Sequence, residues 1–470
     1  MNPESSPRLS RKHARSKRAR GKHRRRSDSI GRQSSGILAA QLVALVFGAI
    51  GTVLVARALG PSGRGALTVA GLAATFAFGL LAVGGGISNV YFVSRRDVEP
   101  QVAAGTSWAL TGFTCIIGLP IFFVAAYYLR NSIFRGVAWP VLVLAGASIP
   151  ALLIYRYLLT IAQGLRAVSL MAASMVATSV VTVALYVITL KVLNLGVFAA
   201  LLSGVLGTLS AVIILTVFSE FGRPMYLRFD RAYLFRSFRF GIRGEIGNFL
   251  TTINYRFDAF FVTSYLGLAA AGRYTIAYTG AELLWQVPNA LATILYPKVA
   301  AEKGAGSAQS TAELVRILLP LTILAAVLGC VMAPWLIPFV FGHSYDQAVS
   351  ALIALTPGIA VFGIVKLIAA YLTGSGHPGI TSISAGTSAT ITVIGDVILI
   401  PRLGIVGAGL ASTIGYTVNG IILTIAYRSV SGLGVGSLFR PRAADWVMVR
   451  ELAKRRKIRP IDPSAERMPS

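Results

Sequence analysis

The chain has 470 residues, 55% of them hydrophobic, with a mean hydropathy of +0.69 and only 13% charged. Soluble domains carry roughly twice that charged fraction, and the apolar blocks run far longer than ~10-residue alternating strands, which excludes both a soluble globular protein and a β-barrel. The net charge of +27 comes from 44 basic and 17 acidic residues, and much of the excess lies at the two ends.

The first 32 residues hold twelve Lys or Arg, including the run RKHARSKRARGKHRRR from Arg11 to Arg26. Such a run serves either as a nucleic-acid arm or as a cytoplasmic tail that fixes topology and touches anionic lipid. We take the second reading, with no nucleic-acid partner and residues 1–35 as a disordered tail. The stretch lacks the short basic start and small-residue cleavage site of a secretory signal.

Twelve apolar helices follow, at about 36–58, 66–93, 103–129, 138–163, 168–190, 196–219, 240–266, 270–296, 314–341, 348–373, 380–400 and 405–428. Each is long enough for a ~30 Å hydrocarbon core at 1.5 Å per residue. With both basic tails inside, the internal loops carry more Arg and Lys than the external ones, so the positive-inside rule predicts both termini in the cytoplasm. The linker GRPMYLRFDRAYLFRSFRFG, Gly222–Gly241, falls at the middle of the helix count. The expected divisions are therefore an N-lobe at 36–219, a basic linker at 220–239, a C-lobe at 240–428 and a second basic tail at 429–470.

The two halves repeat. LGPSGRGALTVA (Leu59–Ala70) matches LGLAAAGRYTIA (Leu266–Ala277) at an offset of 207, and LGVFAALLSGVLG (Leu195–Gly207) matches LGIVGAGLASTIG (Leu403–Gly415) at 208. Six spans per half keep the repeats in the same orientation, so they are parallel repeats about an axis along the membrane normal. The predicted fold is an all-α polytopic membrane protein, with two six-helix lobes around a central cavity.

The same segments, together with Asn254 and Asp258, VPNALATILYPKVA (Val287–Ala300) and LTGSGHPGITSIS (Leu372–Ser384), resemble the polysaccharide transport branch of the multidrug/oligosaccharidyl-lipid/polysaccharide exporter superfamily. The resemblance covers about residues 36–430. It implies flipping of an undecaprenyl-diphosphate-linked oligosaccharide from the inner to the outer leaflet of the cell's inner (plasma) membrane. It also implies company with a polysaccharide polymerase or glycosyltransferases.

Charges inside spans point to the candidate site. A charge at the centre of a membrane helix costs ~2.5–3.5 kcal/mol on insertion scales, so it avoids lipid. In span 7, Arg243, Gly247, Asn254 and Asp258 share one helical face, while Glu245, Thr252 and Arg256 share the opposite one. A helix polar on two faces belongs inside a bundle. In span 8, Thr275, Thr279, Glu282, Gln286, Asn289 and Thr293 recur every three or four residues as one stripe, read either as a polar seam between helices or as the wall of a wet cavity. Pro288 is expected to bend that span. Arg156 lies deep in span 4. Lys366 in span 10 either faces the cavity or snorkels to the cytoplasmic end. Asp396 near the outer end of span 11 reads as structural.

Arginine suits phosphate through its bidentate, permanently charged fork. Arg156, Arg243 and Arg256 are therefore the candidate phosphate contacts, with Asn254, Asp258, Glu282, Gln286, Asn289 and Lys366 as further substrate-binding candidates. Arg256 has a second reading, as the neutraliser of a neighbouring carboxylate. A cation-coupled drug exporter of the same superfamily is the first alternative. Spans 1 to 6 contain no buried acid, which speaks against a cationic cargo. A lipid II flippase, resembling proteins with an extra C-terminal helix pair absent here, is the second; a non-transporting scaffold is the third. Cys115 and Cys330 lie in apolar runs as packing residues, and the four histidines show no ligand spacing. There is no phosphate loop and no HExxH motif, so no enzyme activity, metal or cofactor is expected.

Overall fold

The computed structural model describes residues 8–223, 228–301 and 305–440, with side chains from Ala39 onward and a few exceptions, Arg243 among them. The described residues form helices and no strand. Nine of these helices are long and apolar enough to cross a membrane. The other three expected spans are present too. One is the second arm of a kinked helix, and two are broken into shorter pieces.

The first element, α1 (Arg8–Leu81), contains spans 1 and most of 2. It kinks at Gly60, where φ 63° and ψ −176° form a backbone that only glycine enters without strain. The basic segment expected to be disordered is helical from Arg8 as part of the same element. Arg, Lys and Ala are good helix formers, and the segment extends a helix already nucleated beyond it. The chain breaks at Val83 and Gly84, both with positive φ, before α2 (Gly85–Ser94). Then come α3 (Pro100–Tyr128), α4 (Trp139–Gly164), α5 (Val168–Tyr186), whose last turns widen at Val187–Val192, and α6 (Val197–Val217).

In the second half, span 7 is two helices, α7 (Arg231–Arg256) and α8 (Asp258–Leu266). Span 8 is α9 (Leu268–Glu282), a tight turn at Leu283–Trp285, and α10 (Gln286–Ala301). Pro288 explains that second break, because it removes an N–H and crowds the carbonyl four residues earlier. Four long helices follow: α11 (Ala305–Phe341), α12 (Gln347–Gly374), α13 (Pro378–Leu403) and α14 (Ile405–Ser431). A short α15 (Gly436–Phe439) packs on α11.

The chain divides into two compact units, Met1–Phe249 and Leu250–Ser470. The boundary lies inside α7, not in the basic linker expected to separate the halves. Specific contacts hold the first part of α7 in unit 1. Ser88 Oγ donates to the Ser237 carbonyl at 2.7 Å, and Tyr233 Oη donates to Asn89 Oδ1 at 2.8 Å. Gly84 and Gly241 meet backbone to backbone; a Cβ on Gly241 would lie 2.0 Å from the Gly84 carbonyl oxygen. Tyr233 also joins the unit's apolar core with Ile154, Leu158, Ile161 and Leu215. In unit 2, α12 is the packing centre, flanked by α9, α10, α11 and α14.

Candidate functional site

Arg256 and Asp258 stand on either side of the break in span 7. Arg256 is the last residue of α7 and Asp258 the first of α8. A cation at a helix C-terminus and an anion at a helix N-terminus each complement the local backbone dipole. The break thus accepts two charges that an unbroken apolar helix would resist.

The two side chains then part. Asp258 is 4% exposed and belongs to dry packing. Its Oδ1 accepts the Ala259 N–H at 2.7 Å, and its Oδ2 accepts hydrogen bonds from Tyr274 Oη and, at 3.4 Å, from Ser412 Oγ. Asn254, one turn earlier, is also buried. Its Oδ1 accepts from Ser388 Oγ at 3.4 Å, and its carbonyl accepts from Tyr416 Oη at 3.5 Å. Both residues therefore bind helices α8, α9, α13 and α14 together.

Arg256 points to α9. Its Nη2 donates to Glu282 Oε2 at 2.8 Å, and its guanidinium carbon lies 4.2 Å from the centre of the Tyr278 ring. This is the neutralising role that the sequence left open beside phosphate binding. Both members of the pair are partly exposed, at 30% and 23%. The stripe on span 8 is graded. Thr275 is buried, Thr279 and Glu282 are partly buried, and Gln286, Asn289 and Thr293 are exposed. Its exposed end lies past the helix break, where Asn289 Oδ1 accepts from Lys366 Nζ at 3.2 Å. Lys366 does not extend to the end of α12. Its ammonium folds onto the ring of Trp285, 4.4 Å from the centroid.

Unit 1 has its own charged cluster. Arg156 on α4 is exposed, and Gly86 opposite leaves room for its guanidinium, whose Nε lies 3.5 Å from where a glycine Cβ would be. Glu245 on α7 is 8% exposed, hydrogen-bonded to Asn248 and within electrostatic range of Arg156. The sequence placed every buried acid in the C-lobe; with α7 divided between the units, Glu245 falls in unit 1. A guanidinium inside a membrane helix is costly when it faces lipid, so this exposed side chain, eight residues before the end of α4, calls for water or a polar neighbour such as Glu245. The Arg243 side chain lies outside the described residues.

The structure thus brings Arg256, Glu282, Asn289 and Lys366 into one neighbourhood, with Gln286 exposed on the next turn. It removes Asn254 and Asp258 into packing, and sets Arg156 apart, within electrostatic range of Glu245 but with no ion pair between them among the described residues. The sequence reading missed Tyr255, Trp285 and Phe362 around Lys366, and Tyr274 and Ser412 on Asp258. Aromatic residues in an apolar span look like lipid-facing or core side chains, and no spacing distinguishes them.

The comparisons bear on what such a bundle is. A family model described as "Polysaccharide biosynthesis protein" matches residues 36–350. The chain belongs to the polysaccharide biosynthesis protein family. No curated protein matches it in sequence. Among solved structures it is similar to an inward-facing multidrug resistance MATE family transporter of the MOP superfamily, with TM-score 0.67 and 17% identity, covering 83% of this chain and 95% of the other. It is also similar to the lipid II flippase MurJ in an inward closed conformation, with TM-score 0.61 and 15% identity, covering 90% and 99%. A MOP superfamily transporter from Pyrococcus furiosus, described as having a binding pocket of reversed polarity, gives TM-score 0.54 at 18% identity over 86% and 95%. At these identities the likeness is one of fold. Family and fold together make this a polytopic member of the polysaccharide biosynthesis protein family with the all-helical fold seen in MOP superfamily transporters.

Proposed function

We propose that this polysaccharide biosynthesis family member flips an undecaprenyl-diphosphate-linked oligosaccharide from the inner to the outer leaflet by alternating access. It would do so in the inner (plasma) membrane with both termini cytoplasmic, and would receive its substrate from glycosyltransferases and deliver it to a polysaccharide polymerase. The observation that carries the reading is Arg156. It is an exposed guanidinium about two-thirds of the way along a membrane helix, in a family tied to polysaccharide assembly.

A diphosphate needs fixed, permanently charged donors, which Arg supplies in bidentate form. Arg156 is the arginine suited to this, because Arg256 is already committed to Glu282. Gln286 and Asn289 are exposed amides that offer both donors and acceptors, as sugar hydroxyls require. Lipid-linked cargo is also what the lipid II flippase among its structural relatives carries.

The test is reconstitution of the full chain in vesicles. A fluorescent prenyl-diphosphate oligosaccharide is expected to become accessible in the opposite leaflet only when the protein is present. Movement of a cationic dye with no movement of the glycan lipid would replace this reading with a drug exporter.

A further inference from the structure

Lys366 is held in an unusual way for a membrane lysine. Its stem leaves α12 eight residues before the helix ends at Gly374, about 12 Å from that end at 1.5 Å per residue. A snorkelling lysine would stretch toward the headgroups. This one turns inward instead. Its Nζ lies 4.4 Å from the Trp285 ring centroid, 5.6 Å from Phe362 and 5.7 Å from Tyr255. The three rings also pack on one another, with centroids 5.3 Å apart for Tyr255 and Trp285, 5.4 Å for Tyr255 and Phe362, and 5.5 Å for Trp285 and Phe362. They form a cage whose rings hold one another as well as the ammonium.

An ammonium has three N–H donors. One is taken by Asn289 Oδ1 at 3.2 Å, and the ring faces receive the charge without accepting a strong hydrogen bond. Among the described residues Lys366 forms no salt bridge. Glu282 lies within its electrostatic range but accepts from Arg256 at 2.8 Å. A cation–π hold is weaker than a charge-assisted bond to an anionic oxygen. The lysine is partly exposed, and its four-carbon stem rotates freely compared with the planar arginine fork.

We propose that Lys366 is a releasable cation that reads negative charge on the transported ligand. Without ligand it rests in the cage of Trp285, Phe362 and Tyr255. An anionic oxygen arriving beside the exposed amides of Gln286 and Asn289 draws it out into a salt bridge. That oxygen belongs either to the diphosphate or to an acidic sugar. This rests on the flippase reading and adds the residue that senses the ligand's charge.

Trp285 supplies the readout. In a variant where Trp108, Trp139, Trp335 and Trp446 are phenylalanine, Trp285 is the single emitter. Its fluorescence is followed as three probes are added: a prenyl diphosphate without sugar, one with a neutral disaccharide, and one whose disaccharide ends in a hexuronic acid. Binding is measured separately from retention of radiolabelled probe. Departure of the ammonium is expected to change the Trp285 emission. A response to all three probes identifies the diphosphate as the anion; a response to the uronic acid probe alone identifies the sugar. Lys366→Met is expected to abolish the response and weaken binding of the responsive probe about tenfold, equivalent to about 1.4 kcal/mol. Lys366→Arg retains the charge and should recover part of that affinity. Retained probe with unchanged emission, or equal affinity in Lys366→Met, overturns the role of Lys366 while leaving the flippase reading intact. Failure of the wild type to retain any of the probes overturns both.

Discussion

The helix pair α5–α6 in unit 1 and the pair α13–α14 in unit 2 are built to one plan and finished differently. Along α5, Ser174, Thr178, Thr182 and Tyr186 recur every four residues; along α13, Ser384, Ser388, Thr392 and Asp396 do the same, each 210 positions later. Ser174 and Ser384 are both fully buried. Both pairs close on a glycine. A Cβ on Gly207 would lie 1.9 Å from Thr182 Oγ1, and one on Gly415 would lie 2.0 Å from Thr392 Oγ1. The last position separates them. Tyr186 fills its end of the seam with a ring that packs over Gly51. Asp396 fills the equivalent place with a carboxylate at 0% exposure, and neither oxygen accepts a hydrogen bond among the described residues. It lies within electrostatic range of Asp258. One seam shows that the helix pair closes without a charge, so the carboxylate in the other is not a requirement of packing.

The largest effect should come from erasing that difference in unit 1. Tyr186→Asp removes a packed ring and puts a carboxylate into an apolar, partly buried place, at a cost of roughly 3–5 kcal/mol, most of it from the lost ring. Thermal unfolding in detergent should show a large fall, and wild-type stability would mean that the α5 seam is not closed as described. Next come Gly207→Ala and Gly415→Ala, each expected to cost about 1–3 kcal/mol by overpacking. Thr392→Ala should relieve most of the cost at Gly415, and Thr182→Ala only part of it at Gly207, where the Thr178 carbonyl oxygen also lies 2.8 Å from the added Cβ. No relief at either site would show that the threonines are not what the two glycines accommodate.

Arg256→Met strands the Glu282 carboxylate and should destabilise unit 2 by about 1–3 kcal/mol. The double variant Arg256→Met/Glu282→Leu should recover most of it. A double variant no more stable than Arg256→Met would show that the arginine acts through other partners. The smallest effect is expected at Asp396→Asn, which relieves a buried acid that makes no hydrogen bond and should change stability by less than about 1 kcal/mol or raise it. A loss comparable to that of Tyr186→Asp would show that the carboxylate is a structural member of the seam after all.

Much of this architecture is written in the sequence, because span length and the repeat are one-dimensional signals. The LGPSG and LGLAA segments even foretell a shared backbone. Gly60 and Gly267 both adopt positive φ with ψ near 180°, at 63°/−176° and 84°/179°. The bend in span 8 is legible from Pro288. The break in span 7 is not, since Phe257 carries no proline or glycine mark. A helical wheel drawn through that break set Asn254 and Asp258 apart from Arg256 correctly, but it could not say which face was wet. The boundary within α7 depends on Gly84 meeting Gly241, a contact 157 residues apart in sequence that no local pattern encodes. The Arg256–Glu282 pair and the cage around Lys366 are invisible for the same reason.

The most direct test of the account is the rate at which vesicles containing Arg156→Ala or Arg156→Lys move a prenyl-diphosphate oligosaccharide between leaflets. The comparison is with wild type at equal insertion and equal melting temperature. If Arg156 meets the diphosphate in the wet face of α4, the alanine variant should lose transport and the lysine variant should retain a part of it. Wild-type rates in the alanine variant would contradict the claim that this guanidinium carries the anionic headgroup across.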